Sequence, residues 1–295
     1  MKAQRIGITN GIFASVSYGT NPLFALPMIS VGIGVNSVLF YRYAFAILIY
    51  WVWLKFFKQL SFKITMKEFW SFLFLGVIFS LSSLTMFTAF KYIESGIACT
   101  IFFIYPVLVA VIMAIIFKEK ITLSIVLSII LTFIGILLLN NSSGHLNIFG
   151  VGIVLISALM YAIYMVAIKK MTTIKRVKHD VLAFYVMLSG LFVYIINLKF
   201  CTTLQVLDKP LLWGCALCLA LFPTIISLET INISIKLIGS TKTAILGALE
   251  PITAIVLGVL VFHEHLTVRS VLGILLILIG VINVIFAKNN VKTER

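Results

Sequence analysis

The feature that most limits what this chain can fold into is a repeat. Between Ser95 and Asn140 an apolar run interrupted by Pro106 leads to a charged turn, Lys118-Glu119-Lys120, and then to a second apolar run. Shifted by 145 residues the pattern recurs: Pro106 falls on Pro251, Glu119 on Glu264 and Gly135 on Gly280. Tyr18 and Tyr161, and Gly7 and Gly150, match at a shift of 143. A fixed offset sustained through a chain of 295 residues means two copies of one unit, expected over 1–144 and 145–295.

The unit is apolar. The chain is 62% hydrophobic and 11% charged, where a soluble domain has roughly 45–50% and about 25%. Mean hydropathy is +1.17. So few charges cannot cover a soluble surface, and the apolar runs recur from end to end. Ten can be counted: 6–27, 37–57, 69–91, 95–117, 122–140, 148–168, 181–199, 211–235, 239–262 and 267–287. Each approaches the roughly 20 residues that a helix needs to cross hydrocarbon, and helix satisfies its own backbone there. No room is left for a soluble domain.

The net charge of +14 would suggest nucleic acid in a soluble protein. Here the basic residues lie between the runs. With a cytoplasmic N-terminus only Lys91, Lys199, Lys209 and Arg269 face outward, and Arg42 and Lys242 lie near or within segments; the rest of the 23 Lys and Arg face the cytoplasm. That bias places both termini inside and makes lipid, not nucleic acid, the partner of the charge. Five helices per copy is an odd number, so the second copy enters from the opposite face. The expected fold is an all-α polytopic membrane protein of ten transmembrane helices in two inverted five-helix repeats. Such repeats suit a carrier that opens alternately to either side.

Polar residues inside the runs are the candidate site. In the ninth segment Ser240, Thr243, Gly247, Glu250 and Ala254 share one helical face. A carboxyl at that depth is costly unless it meets water, a partner or a ligand, so Glu250 should point inward. The first copy has Tyr105 at the equivalent position. Pro251 and Pro106 should bend their helices and free the carbonyls of Gly247 and Phe102. Asn10, Ser17 and Asn21 share a face of the first segment, a face that ends at Pro22; Ser83, Tyr161 and Tyr164 could line the same cavity. Serine, threonine and glycine also serve plain helix packing. Glu229 is a second carboxylate, either a proton-exchange site beside Glu250 or half of a structural pair with Lys236 or Lys242. Arg42 is expected to reach headgroups, with attraction of an anionic substrate as the other reading. Cys215 and Cys218 are expected to be apolar fillers, and His263 and His265 flank Glu264 without further metal ligands nearby. No cofactor, metal or catalytic motif is expected, and an enzyme ranks last.

Two passages, YIESGIACTIFFIYPVLVAVIMAIIFKEKIT at 92–122 and LIGSTKTAILGALEPITAIVLGVLVFHEHLT at 237–267, are similar to the EamA family of the drug/metabolite transporter superfamily. In both, a start rich in small residues precedes a proline, and a glutamate-containing turn follows 13 residues later. The resemblance spans roughly 7–140 and 149–287. It implies ten helices, a central cavity between repeats, and movement of small metabolites, often export of amino acids or related compounds. Broad efflux of lipophilic cations, and a non-transporting receptor or assembly role, are the alternatives. The abundance of Ile, Lys, Phe and Asn suggests an AT-rich bacterium, hence its inner membrane; oligomeric state is open.

Overall fold

The computed structural model describes residues 2–58, 63–118, 123–140, 147–171, 173, 177–247 and 249–293. Among them every regular element is helical. The first copy comprises α1 (Lys2–Gly19), α2 (Asn21–Ser30), α3 (Val35–Val52), α4 (Met66–Ala89), α5 (Ser95–Phe102), α6 (Tyr105–Phe117) and α7 (Leu123–Asn140). The second comprises α8 (Ile148–Lys170), α9 (His179–Asn197), α10 (Pro210–Ala220), α11 (Ser227–Leu246), α12 (Leu249–Phe262) and α13 (Val268–Thr293). Wider π-helical turns extend α3 over Trp53–Phe57 and join α10 to α11 over Leu221–Ile226. Six stretches are long and apolar enough to cross a membrane: Val35–Phe57, Met66–Ala89, Ser95–Phe117, Ile148–Ile168, Asp180–Asn197 and Pro210–Ile231. The chain is thus a multi-pass membrane protein. The expected boundary at 144/145 and the turn glutamate Glu119 lie outside the described residues.

Local chemistry explains several ends. Thr65 and Glu68 form a reciprocal cap on α4, in which the Thr65 amide donates to the Glu68 carboxylate at 2.7 Å. Pro22 and Pro106 are second residues of α2 and α6, and Pro210 is the first of α10. A first-turn residue owes no amide to the helix, so proline costs little there. These three prolines therefore stand just after interruptions and do not bend continuous helices, whereas Pro27 lies inside α2. The breaks around 103–104 and at Gly247 precede Pro106 and Pro251 alike. The carbonyl of Gly247, expected to be free, accepts the Glu250 amide at 3.0 Å. The first segment breaks at Thr20, before Pro22, and its helix continues to Ser30.

The expected connection at 236–238 is also different. Backbone helix runs from Ser227 to Leu246, yet the hydroxyls of Ser234 and Thr243 are 2.9 Å apart. Nine residues of straight helix would separate them by about 13.5 Å. The helical backbone turns back on itself there.

Contacts between the copies carry a two-fold relation. The backbone of Gly7 in α1 lies against Leu237 and Ile238 of α11; that of Gly150 in α8 lies against Tyr92 and Ile93 after α4. The hydroxyl of Ser227 donates to the Ala14 carbonyl at 3.0 Å, and that of Ser82 to the Ser157 carbonyl at 2.9 Å. The same offsets, 143 and 145, exchange the members of each pair. Lys118 and His263, also 145 apart, both end their helices in left-handed conformation, with φ of 54° and 56°. Around this relation α1 packs on α11, α4 on α8, α5 on α12 and α7 on α13.

Glu264 joins the copies at one end. Its carboxylate accepts the Ser95 amide at 2.8 Å, the Ser95 hydroxyl at 2.6 Å and the Gly96 amide at 3.2 Å, capping α5. Gly258 lies so close beneath that carboxylate that a side chain there would collide with it. The neighbouring Glu94 has its carboxyl raised above the ordinary 4.5, by burial first and then by Glu264. A carboxyl with a raised folded-state value binds its proton more tightly when folded. Its contribution is complete below 4.5 and is lost as pH rises through the shifted value. Glu94→Gln should flatten the pH dependence of thermal unfolding in that window.

Gly76 in α4 offers a test of the interhelix packing. An added Cβ would strike Ser189 Cβ and approach the Val186 carbonyl within 2.7 Å, whereas at Gly152 it would meet nothing within 4 Å. Gly76→Ala should cost about 1–3 kcal/mol. Gly152→Ala should be neutral or gain up to about 1 kcal/mol. Thermal unfolding of the purified variants in detergent compares them.

Candidate functional site

Between the copies, where α1, α2, α3, α4, α5, α8 and α12 converge, lies a narrow cavity. It is lined by Tyr18, Asn21, Arg42, Phe79, Ser82, Ser83, Met86, Phe87, Phe90, Cys99, Phe102, Tyr161 and Glu250. Its free space, about 20 Å³, holds one water molecule.

Each polar group is placed by a local feature. Asn21 opens α2 after the break at Thr20; its amide nitrogen donates to the Tyr18 carbonyl at 2.9 Å. Its Oδ1 is buried with no hydrogen-bond partner. Arg42 lies two turns into α3 and is 3% exposed. Its Nε donates to Thr224 Oγ1 at 2.9 Å, and its guanidinium sits 5.5 Å from the Phe87 ring centre. Thr224 belongs to the π-helical turn at 221–226, and its hydroxyl donates to the Leu219 carbonyl at 2.9 Å. Glu250 stands in the first turn of α12, where the helix N-terminus favours a negative charge. Among the described residues its carboxylate makes no hydrogen bond and no ion pair, Arg42 included.

An aromatic wall completes the cavity. Tyr161 packs on Tyr105 with ring centres 4.7 Å apart, on Phe102 at 5.4 Å and on Tyr164 at 5.9 Å. Tyr161 and Tyr105 are the repeat equivalents of Tyr18 and Glu250. One half of the centre is therefore Tyr with Tyr, and the other is Tyr with Glu.

Of the residues expected from sequence, Asn21, Ser83, Tyr161 and Glu250 line the cavity, with Tyr105 and Tyr164 packed behind Tyr161. Others lie elsewhere. Asn10 donates to the Ile6 carbonyl, Ser17 donates to the Phe222 carbonyl at 2.6 Å, and Thr243 meets Ser234. Gly247 marks a helix break; Pro22, Pro106 and Pro251 start new helices. The Ser240 side chain lies outside the described residues. Arg42 was expected to reach headgroups and instead faces the cavity. α3 starts at Val35, two residues before the expected segment, so Arg42 lies deeper in its helix than the sequence reading placed it.

Glu229 is not in the cavity. It accepts Tyr50 Oη at 2.8 Å and Lys58 Nζ at 3.0 and 2.9 Å, with Asp180 3.4 Å from Lys58. Burial works most strongly against the charged Lys58 ammonium, but the bonds and charges of Glu229 and Asp180 together outweigh it and the net shift is upward. The cluster ties the ends of α3, α9 and α11 together.

Fold and cavity define a class: a duplicated helical membrane protein with a charged chamber between its halves. The EamA-like transporter family model matches residues 5–141 and 148–286, and the chain belongs to that family. A curated relative from Archaeoglobus fulgidus, described as an uncharacterized transporter, is 37% identical over 73 residues. That stretch is 25% of this chain and 26% of the relative. A solved structure described only as "Crystal structure of protein" has the same fold, with a TM-score of 0.67, 16% identity and coverage of 97% of this chain and 98% of that one.

The Lys58 cluster yields a test of its own. Glu229→Gln removes the charge facing two Lys58 bonds and should cost about 1–3 kcal/mol. Asp180→Asn, at the longer contact, should cost less than half of that. Thermal unfolding of both variants gives the order.

Proposed function

We propose that this protein is a secondary carrier that moves amino acids or related small metabolites out across a bacterial inner membrane by alternating access. The observation that carries the reading is the narrow cavity at the meeting of two repeats related by a two-fold exchange, lined by a carboxylate that has no partner among the described residues. A chamber that holds one water has to widen to admit a metabolite. Two halves with interchangeable contacts provide a way to widen it from either side. The basic residues between segments favour ten spans with both termini in the cytoplasm.

Glu250 is the proposed proton-exchanging group. Glu229, the other candidate from the sequence, is engaged by Lys58 and Tyr50, while Glu250 has no such partner among the described residues. Broad efflux of lipophilic cations fits less well, because Arg42 puts a fixed positive charge in the same chamber.

Flux in liposomes loaded with a mixed amino-acid pool tests the reading. Wild type should release at least one amino acid faster than empty vesicles do. Ser83→Trp, which plugs the cavity, should reduce that release more than 10-fold. Glu250→Gln should abolish the response to an imposed pH gradient. Flux that ignores a collapsed gradient ends the coupling, and release unaffected by Ser83→Trp ends the assignment of the cavity.

A further inference from the structure

Arg42 and Glu250 line one small cavity without forming an ion pair. Two opposite charges in a poorly solvated chamber attract strongly when they can meet. Here the protein holds them apart. The Arg42 Nε is tied to Thr224 and the guanidinium is set against Phe87. The remaining guanidinium nitrogens have no protein partner among the described residues. Asn21 adds an acceptor to the same cavity, its Oδ1 buried and unpaired in a residue only 6% exposed.

Four kinds of solute can be set against this arrangement. A neutral one leaves both charges uncompensated, a cation satisfies Glu250 but meets Arg42, and an anion does the reverse. A zwitterion satisfies both ends. The planar fork of an arginine matches a carboxylate with two parallel bonds, and an ammonium can donate to a carboxylate and an amide oxygen together. The rest of the wall is largely aromatic, as at Phe87 and Tyr161, and suits an apolar body.

We propose that Arg42 is the specificity-determining residue of the carrier. Its guanidinium takes the carboxylate of a zwitterionic α-amino acid with an apolar side chain, while Glu250 and Asn21 Oδ1 take the ammonium. The inference rests on reading the cavity as the place where the transported compound sits.

The test is binding to the purified full-length protein, read as ligand-dependent thermal stabilisation. L-phenylalanine and L-leucine are compared with phenylethylamine and isoamylamine, which lack the carboxylate, and with 3-phenylpropionate and 4-methylpentanoate, which lack the ammonium. Wild type should bind at least one amino acid about 10-fold or more tightly than its amine or acid. Arg42→Gln should lose that amino acid by a similar factor and no longer discriminate against the amine. Arg42→Lys keeps the charge and loses the fork, so it should fold if Arg42→Gln does not, and should show an intermediate ratio. A merely structural arginine would lower the melting temperature and leave the ratio unchanged in Arg42→Lys; that result overturns the inference. So does equal binding of amine and amino acid by wild type, or binding of neither amino acid. The Ser83→Trp flux measurement reports separately on the carrier: flux that Ser83→Trp blocks, without zwitterion preference, sinks only this inference, and absence of such flux sinks both.

Discussion

Everything in this protein depends on one constraint: inside an apolar environment a polar group must find its partner within the protein. The serine hydroxyls obey it most simply. Ser82 and Ser227 reach across to carbonyls of α8 and α1, which is possible only because small residues let the backbones approach. Glu264 obeys it by closing on the open amides of α5, with Gly258 leaving the room its carboxylate needs. Glu229 obeys it through Lys58 and Tyr50. Against that background the groups left over are informative. Asn21 Oδ1, the free edge of Arg42 and the Glu250 carboxylate converge on one chamber, whereas Asn36 Oδ1 and Glu94 Oε2, also buried without partners among the described residues, lie outside it.

The chamber inherits its geometry from the breaks at Thr20, at 103–104 and at Gly247. A continuous helix would carry its backbone past the centre. Interrupted helices place a new N-terminus there, with first-turn residues such as Asn21 and Glu250 turned to the middle. The π-helical turn at 221–226 does the comparable thing for Thr224, which holds Arg42 by its Nε. Buried charge is tolerable because secondary structure has been given up at these points.

Much of this was legible in the sequence. The offset of 145 and the long apolar runs announced a duplicated helical membrane protein, and a carboxylate beside Pro251 announced a polar centre. Local pattern could not say that proline would follow an interruption, since a proline in the first turn and one at a kink leave the same letters. Nor could it locate the reversal within α11, where helical backbone continues through the turn and Gly239, the glycine inside it, is a residue type that plain helix packing also uses. Arg42 was misjudged by a boundary: with α3 starting at Val35, not two residues later, the arginine lies too deep for headgroups. Asn10 and Thr243 showed the reverse error, polar residues on plausible faces that satisfy themselves locally.

The paired contacts of Gly7 and Gly150 have an energetic implication. When the same packing is written twice with its two halves exchanged, states of the molecule that swap the roles of those halves are built from nearly equal sums. Their energy difference is then set by the few positions where the copies disagree, such as Tyr105 against Glu250 or Ser157 against Ala14. A protein made this way sits close to balance by construction, and a single side chain, or a bound molecule that touches the unequal half, is enough to tip it.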